Sequence, residues 1–209
     1  IDCNGIYPKA AMIVPEFTIS MPSRLTLSTG LDALTHAMEA FWARSRTPLS
    51  QALAITAIEN IKTYLPKVLS DGSNIEYRKG MCLASLIAGL AFSITRTAAS
   101  HSISYPLTIY YGMDHGFAVA CTLPQVAERN ESTVQGISRI YTVFGGKSEF
   151  SRWLKNVSDP VQELRLSAFG IKRSDLDFIA EKAFTKGRMD NNPIALSQED
   201  VRSILENIL

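Results

Sequence analysis

The chain has 209 residues, enough to bury a sizeable core in one large or two small domains. Its 21 Lys and Arg against 20 Asp and Glu leave a net charge of +1, so no global field draws it to nucleic acid or to an anionic membrane. The three cysteines, Cys3, Cys82 and Cys121, are odd in number and never spaced as C-x-x-C. That argues against a disulfide scaffold, a zinc ribbon or a thioredoxin-type site and points to a reducing, cytoplasmic setting.

The chain opens without Met, on Ile1-Asp2-Cys3-Asn4-Gly5, which has neither the basic flank nor the apolar run of a signal peptide. Ala10 to Val14 is a short apolar run of strand character, but no partner strand is evident downstream, and an isolated strand is not stable. The expectation is that residues 1–22 are an extended remnant of an N-terminal part that is missing. Residues 23–209 then form one all-α, bundle-like domain.

From Ser28 onward the periodicity is helical. Thr47-Pro48 starts a helix, with Thr as its cap and Pro at its first position. Its apolar face is Leu53, Ala57, Ile58, Ile61, Leu65 and Val68, and Pro66 is expected to disturb its last turn. A second helix, about 75–93, is apolar nearly all round and is expected to be central and buried. Its apolar core, Met81 to Phe92, falls short of the ~20 residues that cross a bilayer and is diluted by Ser85 and Gly89. Two shorter helices, 100–110 and 115–127, flank a turn at Gly112. Four amphipathic ones follow, roughly 131–143, 148–168, 174–186 and 198–208, the last with a Ser197/Asp200 capping box.

The three histidines are the most informative residues. Asp32 and His36 are four apart and share one helix face, the spacing two ligands need to reach one metal ion. A tight hairpin at Gly112 brings His101 and His115 into one cavity. Three imidazoles and a carboxylate suit Fe(II), Zn(II) or another borderline divalent cation. Plainer readings stand beside this one. Thr29-x-x-Asp32 is itself a capping-box pattern, and a lone helical histidine usually packs or faces water. Glu39 either orients a ligand histidine or is a surface charge.

The run Thr29-Gly30-Leu31-Asp32-Ala33-Leu34-Thr35-His36-Ala37-Met38-Glu39-Ala40 closely resembles a hallmark of the iron-containing alcohol dehydrogenases. So do His101-Ser102-Ile103-Ser104-Tyr105-Pro106-Leu107-Thr108 and Asp114-His115-Gly116. Val14-Pro15-Glu16 through Met21-Pro22 resembles the segment joining that family's two domains, and Asn192-Pro193 with Leu196 to Asp200 its C-terminal end. The resemblance implies that this chain is the helical, metal-binding domain, with Asp32, His36, His101 and His115 as ligands of Fe(II) or Zn(II). It implies a missing α/β domain that binds NAD(P)H, a small aldehyde or alcohol as substrate, and a homodimer in the intact enzyme, with no nucleic-acid or membrane partner.

Two departures bear on function. Where many members of that family carry a further histidine four residues after the ligand at His101, this chain has Tyr105, which either relays a proton or packs. Where they often have a small, glycine-containing stretch, it has Thr95-Arg96-Thr97. Arginine and threonine suit a phosphate-like group, and Thr95-Arg96-Thr97 together with His101 to Thr108 resembles the phosphonoacetaldehyde reductase branch. Arg96 equally fits a solvated or carboxylate-paired arginine. The competing functions are a polyol-type dehydrogenase with a neutral substrate and a non-catalytic helical fragment.

Overall fold

Helix formation and burial, taken together, decide which segment becomes the centre of this molecule. The structure, a computed structural model, describes residues 8–209; Cys3 and the rest of the first seven residues lie outside the described residues. It is all helical, with no strand among the described residues. Its helices are α1 (Ser23–Trp42), α2 (Pro48–Ser70), α3 (Ile75–Thr95), α4 (Ala99–Tyr111), α5 (His115–Asn130), α6 (Ser138–Phe144), α7 (Lys147–Ser158), α8 (Leu176–Lys182) and α9 (Gln198–Asn207). The extended character expected before residue 23 is broken by a 3-10 turn over Pro15–Thr18, and Met12 and Phe17 are exposed.

The central helix is α1, not α3. Leu27, Leu31, Leu34, Met38, Phe41 and Trp42 of α1 are all fully buried, as α2, α3 and α5 surround it. In contrast, α3 buries its small residues Gly80, Ala84, Ala88 and Ala91 and leaves Leu83, Leu86, Leu90 and Ile94 between 37% and 50% exposed. The physical reason is close approach. A helix whose small residues lie in one row can sit nearer its neighbours than one that inserts leucines. At Gly80 an added Cβ would lie 2.4 Å from the Tyr64 ring. No single helix among the described residues is long and apolar enough to cross a membrane.

Several ends form where local chemistry places them. Thr47 and Ser50 cap α2 reciprocally, and Ser197 and Asp200 do the same for α9. Gly112 closes α4 at φ 66°, where a residue without Cβ is favoured. Other boundaries differ from the sequence reading. Pro66 lies inside α2, which continues to Ser70. The segment expected at 148–168 stops at Ser158, because Pro160 cannot donate to the next helical bond. The one expected at 131–143 begins only at Ser138, after turns through Gly136 at φ 78°.

Among the described glycines the closest approach joins α1 to α5. A Cβ at Gly116 would stand 1.8 Å from the backbone oxygen of Ser28. Beside it, Arg24 pairs with Asp114 at 2.6 Å and covers the Phe117 ring at 4.9 Å. Gly116→Ala is therefore expected to lose at least about 1–3 kcal/mol of stability in urea unfolding. Gly89→Ala, on the open side of α3 with nothing within 4 Å, is expected to gain about 0.5–1 kcal/mol. Equal responses at the two sites would contradict this packing.

Candidate metal centre

The site begins on α1. Asp32 is the tenth residue of that helix, well inside it, so it is not a cap; Thr29 turns its hydroxyl back to the Leu25 carbonyl at 2.8 Å. With the capping reading removed, Asp32 and His36 project from one face, Nε2 of His36 lying 3.8 Å from Oδ1 of Asp32.

The other two histidines come from beyond a corner. Arg96 ends α3 in the left-handed region at φ 63°, and α4 leaves at 107° to α3. That turn sends α4 back toward α1. Nε2 of His101 stands 3.4 Å from Oδ1 of Asp32. After Gly112, α5 starts at His115, whose Nε2 is 3.7 Å from the same oxygen. All four residues singled out in the sequence thus meet at one carboxylate oxygen. Asp32, His101 and His115 offer ligand atoms within 4.8 Å of one another, and His36 joins them through Asp32.

The donor set fits a cation. Oδ1 of Asp32 and Nε2 of His101 are buried and have no hydrogen-bond partner. Such atoms cost free energy unless something satisfies them. Around them the rings stack: Phe92 on His36 at 4.2 Å, and His36 on His101 at 4.6 Å. Glu39 is fully buried behind His101, with Oε2 2.7 Å from Nδ1, so it is no surface charge.

Tyr105 stacks its ring over His115, centroids 6.4 Å apart, at the edge of the cluster. The Thr95-Arg96-Thr97 run is not a single pocket. Thr95 is buried, its hydroxyl donating to the Arg96 carbonyl oxygen at 3.0 Å. Thr95 and exposed Arg96 line a cavity with Ser45, Asp190 and Asn191 that none of the four candidate ligands touches. Thr97 faces elsewhere, its hydroxyl buried with no partner. Asn191, which the sequence reading passed over, holds this corner by donating to the carbonyls of Thr95 and Thr97. Its only sequence signal was the helix-breaking Asn191-Asn192-Pro193.

The electrostatics separate the imidazoles. Burial pushes His36 down to about 4, against the pull of Asp32, so it is neutral at ordinary pH. Burial works against charge on His101 as well, but the Glu39 carboxylate and Asp32 override it and push the group up to about 9. Burial also lowers His115. Burial opposes ionisation of Asp32, yet the surrounding histidines hold its carboxyl below the usual range.

These shifts carry a stability signature in the metal-free chain. Unfolded imidazole titrates near 6.5. His101 holds its proton more tightly when folded, so its contribution is complete below about pH 6.5 and is lost as pH rises through about 9. His36 contributes while neutral, and that is lost as pH falls from about 6.5 to about 4. The thermal midpoint by circular dichroism is expected to peak near pH 6.5 and to decline on both sides. His36→Phe should make the acid side shallower, with His115 and Asp32 still contributing there, and leave the alkaline side. A wild-type midpoint that is level across this range would refute the assignment.

Residues 26–209 match the model of the Fe-containing alcohol dehydrogenase family, C-terminal. The NAD-dependent methanol dehydrogenase of Bacillus methanolicus is 32% identical across 98% of this chain and 57% of its own length. Long-chain-alcohol dehydrogenase 1 of Geobacillus thermodenitrificans is 34% identical across 94% of this chain and 53% of its own. The crystal structure of sulfoacetaldehyde reductase from Bifidobacterium kashiwanohense in complex with NAD+ superposes with a TM-score of 0.89 at 28% identity, covering 98% of this chain and 55% of that one. The chain thus spans about half the length of these relatives. By sequence and by fold, it belongs to the Fe-containing alcohol dehydrogenase family, whose C-terminal portion it matches.

Proposed function

We propose that residues 23–209 are the metal- and substrate-binding domain of an NAD(P)-linked alcohol dehydrogenase that reduces a small aldehyde. In this reading residues 1–22 connect it to an α/β domain that binds the nicotinamide, and the intact enzyme is a cytoplasmic homodimer. The observation that carries it is the convergence of Asp32, His36, His101 and His115 on one point, with two of their ligand atoms buried and unsatisfied.

Those four residues would hold Fe(II) or Zn(II). A cation there supplies Lewis acidity toward a carbonyl or alkoxide oxygen, while the nicotinamide exchanges the hydride. The chain's own residues do the rest. Phe92 covers one face of His36 and excludes water from it. In this reading Tyr105, whose ring lies over that of His115, passes a proton through its hydroxyl to or from the substrate oxygen.

For the substrate, the reading is an aldehyde with an anionic head, such as phosphonoacetaldehyde. Its support is Arg96, which is exposed and lines a cavity with Thr95 that Thr97 does not line, together with a relative named for sulfoacetaldehyde. The second reading, a neutral polyol substrate, is favoured by Asp190, whose carboxylate lines the Arg96 cavity and disfavours a second anion there.

Elemental analysis after purification without chelators is expected to find about one Fe or Zn per chain, lost in His101→Ala and Asp32→Ala. Loading is expected to fall in acid, because the histidines must be neutral to bind. No metal after anaerobic Fe(II) and Zn(II) addition would sink the proposal. In steady-state kinetics of the intact enzyme Arg96→Ala is expected to raise KM for phosphonoacetaldehyde and leave that of an uncharged aldehyde of equal length unchanged. Tyr105→Phe is expected to lower kcat about 10²-fold or more. Equal effects of Arg96→Ala on both aldehydes would favour the neutral substrate.

A further inference from the structure

Glu39 is wholly buried, yet it carries no cationic lysine or arginine partner among its hydrogen bonds. It accepts three bonds instead, all from one short stretch about sixty residues away. The Ala98 N–H and the Nδ1 of His101 reach Oε2 at 2.6 and 2.7 Å, and the Ser100 N–H reaches Oε1 at 2.6 Å.

Each of these contacts has a separate consequence. Helix α4 begins after Ala98, a residue with no side-chain oxygen to cap it. The N–H groups at this end have no intrahelical partner, and Glu39 from α1 accepts from two of them, those of Ala98 and Ser100. The imidazole is constrained by the same carboxylate. An ionised carboxylate only accepts, so Nδ1 of His101 must donate, and in the neutral ring that leaves the lone pair on Nε2. Nε2 is the unsatisfied atom that faces Asp32. Neither of the other histidines has such a partner: His115 Nδ1 meets only the Ser104 hydroxyl, at 3.5 Å.

We propose that Glu39 is a positioning residue: one carboxylate both caps α4 across the α3–α4 corner and fixes His101 with its Nε2 lone pair turned into the candidate metal centre. The inference rests on the metal-centre reading for the use of that lone pair, but the clamp itself exists without metal. Its logic is mechanical. The carboxylate ties down the start of the helix that carries His101, and the same bonds decide which nitrogen is free.

Glu39→Gln separates this from ordinary core packing, because it keeps the shape. The amide has one acceptor oxygen and a donating NH2, so it cannot satisfy three donors. The full chain carrying this substitution is expected to keep its helix content by circular dichroism and to bind Zn(II), in chelator competition, about 10- to 100-fold more weakly. Its Ala98 and Ser100 amides should exchange faster. In metal-free wild type, nitrogen-15 correlation spectra of the imidazoles are expected to show a slowly exchanging proton on Nδ1 of His101, lost in the variant.

Unchanged Zn(II) affinity in Glu39→Gln would overturn the proposal. So would a wild-type His101 without a protected Nδ1 proton, a measurement that stands even if the variant fails to fold. Wild type that binds no Zn(II) or Fe(II) but keeps the protected proton would fail the metal-centre reading and leave the clamp intact.

Discussion

Four side chains from three helices can share one point only if those helices are held at fixed, short separations. In this chain the absence of side chains sets the separations. Gly116 lets α5 lie directly on the Ser28 carbonyl, where any Cβ would collide. Gly80 lets α3 close on Tyr64 of α2, and Gly30 lets α1 approach Leu65. His115 immediately precedes the first of these contacts and Asp32 lies four residues beyond Ser28. The close contact at Gly116 therefore joins two of the three helices that build the candidate centre.

The second constraint is the corner between α3 and α4. Arg96 adopts a backbone conformation that non-glycine residues rarely take, with φ at 63°. What holds it there is a set of buried polar contacts. Asn191 ties down the carbonyls of Thr95 and Thr97, and Glu39 the N–H groups of Ala98 and Ser100. Such strain persists where the surroundings over-determine it, and this corner is bonded from both sides. The stack of Phe92, His36 and His101 bridges it, with rings from the last turn of α3, from α1 and from α4.

The site also illustrates why one kind of residue acquires several electrostatic characters. His36 and His101 lie face to face, yet burial drives one toward neutrality and a buried carboxylate holds the proton on the other. The difference is Glu39, which reaches Nδ1 of His101 and not His36. A cation at the shared point would take the place of the second imidazolium proton, on Nε2, leave the Nδ1 proton bonded to Glu39 and satisfy the Asp32 oxygen as well, which is how a donor set of this kind couples loading to pH.

Much of this was legible in the sequence. Periodicity placed the long helices, the Thr47 and Ser197 caps placed two of their starts, and the four-residue spacing of Asp32 and His36 put both on one face. These are local properties, decided by bonds and steric contacts within a few residues. Other features were not local. An apolar α3 gave no sign that it would turn its leucines outward, because which face is buried depends on which neighbour can approach its small residues. Asp32 had a capping pattern in sequence and a mid-helix position in space. Glu39, from sequence, was a carboxylate of two possible fates. Only tertiary structure chose, because its three partners lie about sixty residues on and meet it where the chain turns through 107°. Sequence spacing determines what a single helix can present. What several helices present together is decided by how closely their backbones can approach, and that depends on the whole packed core.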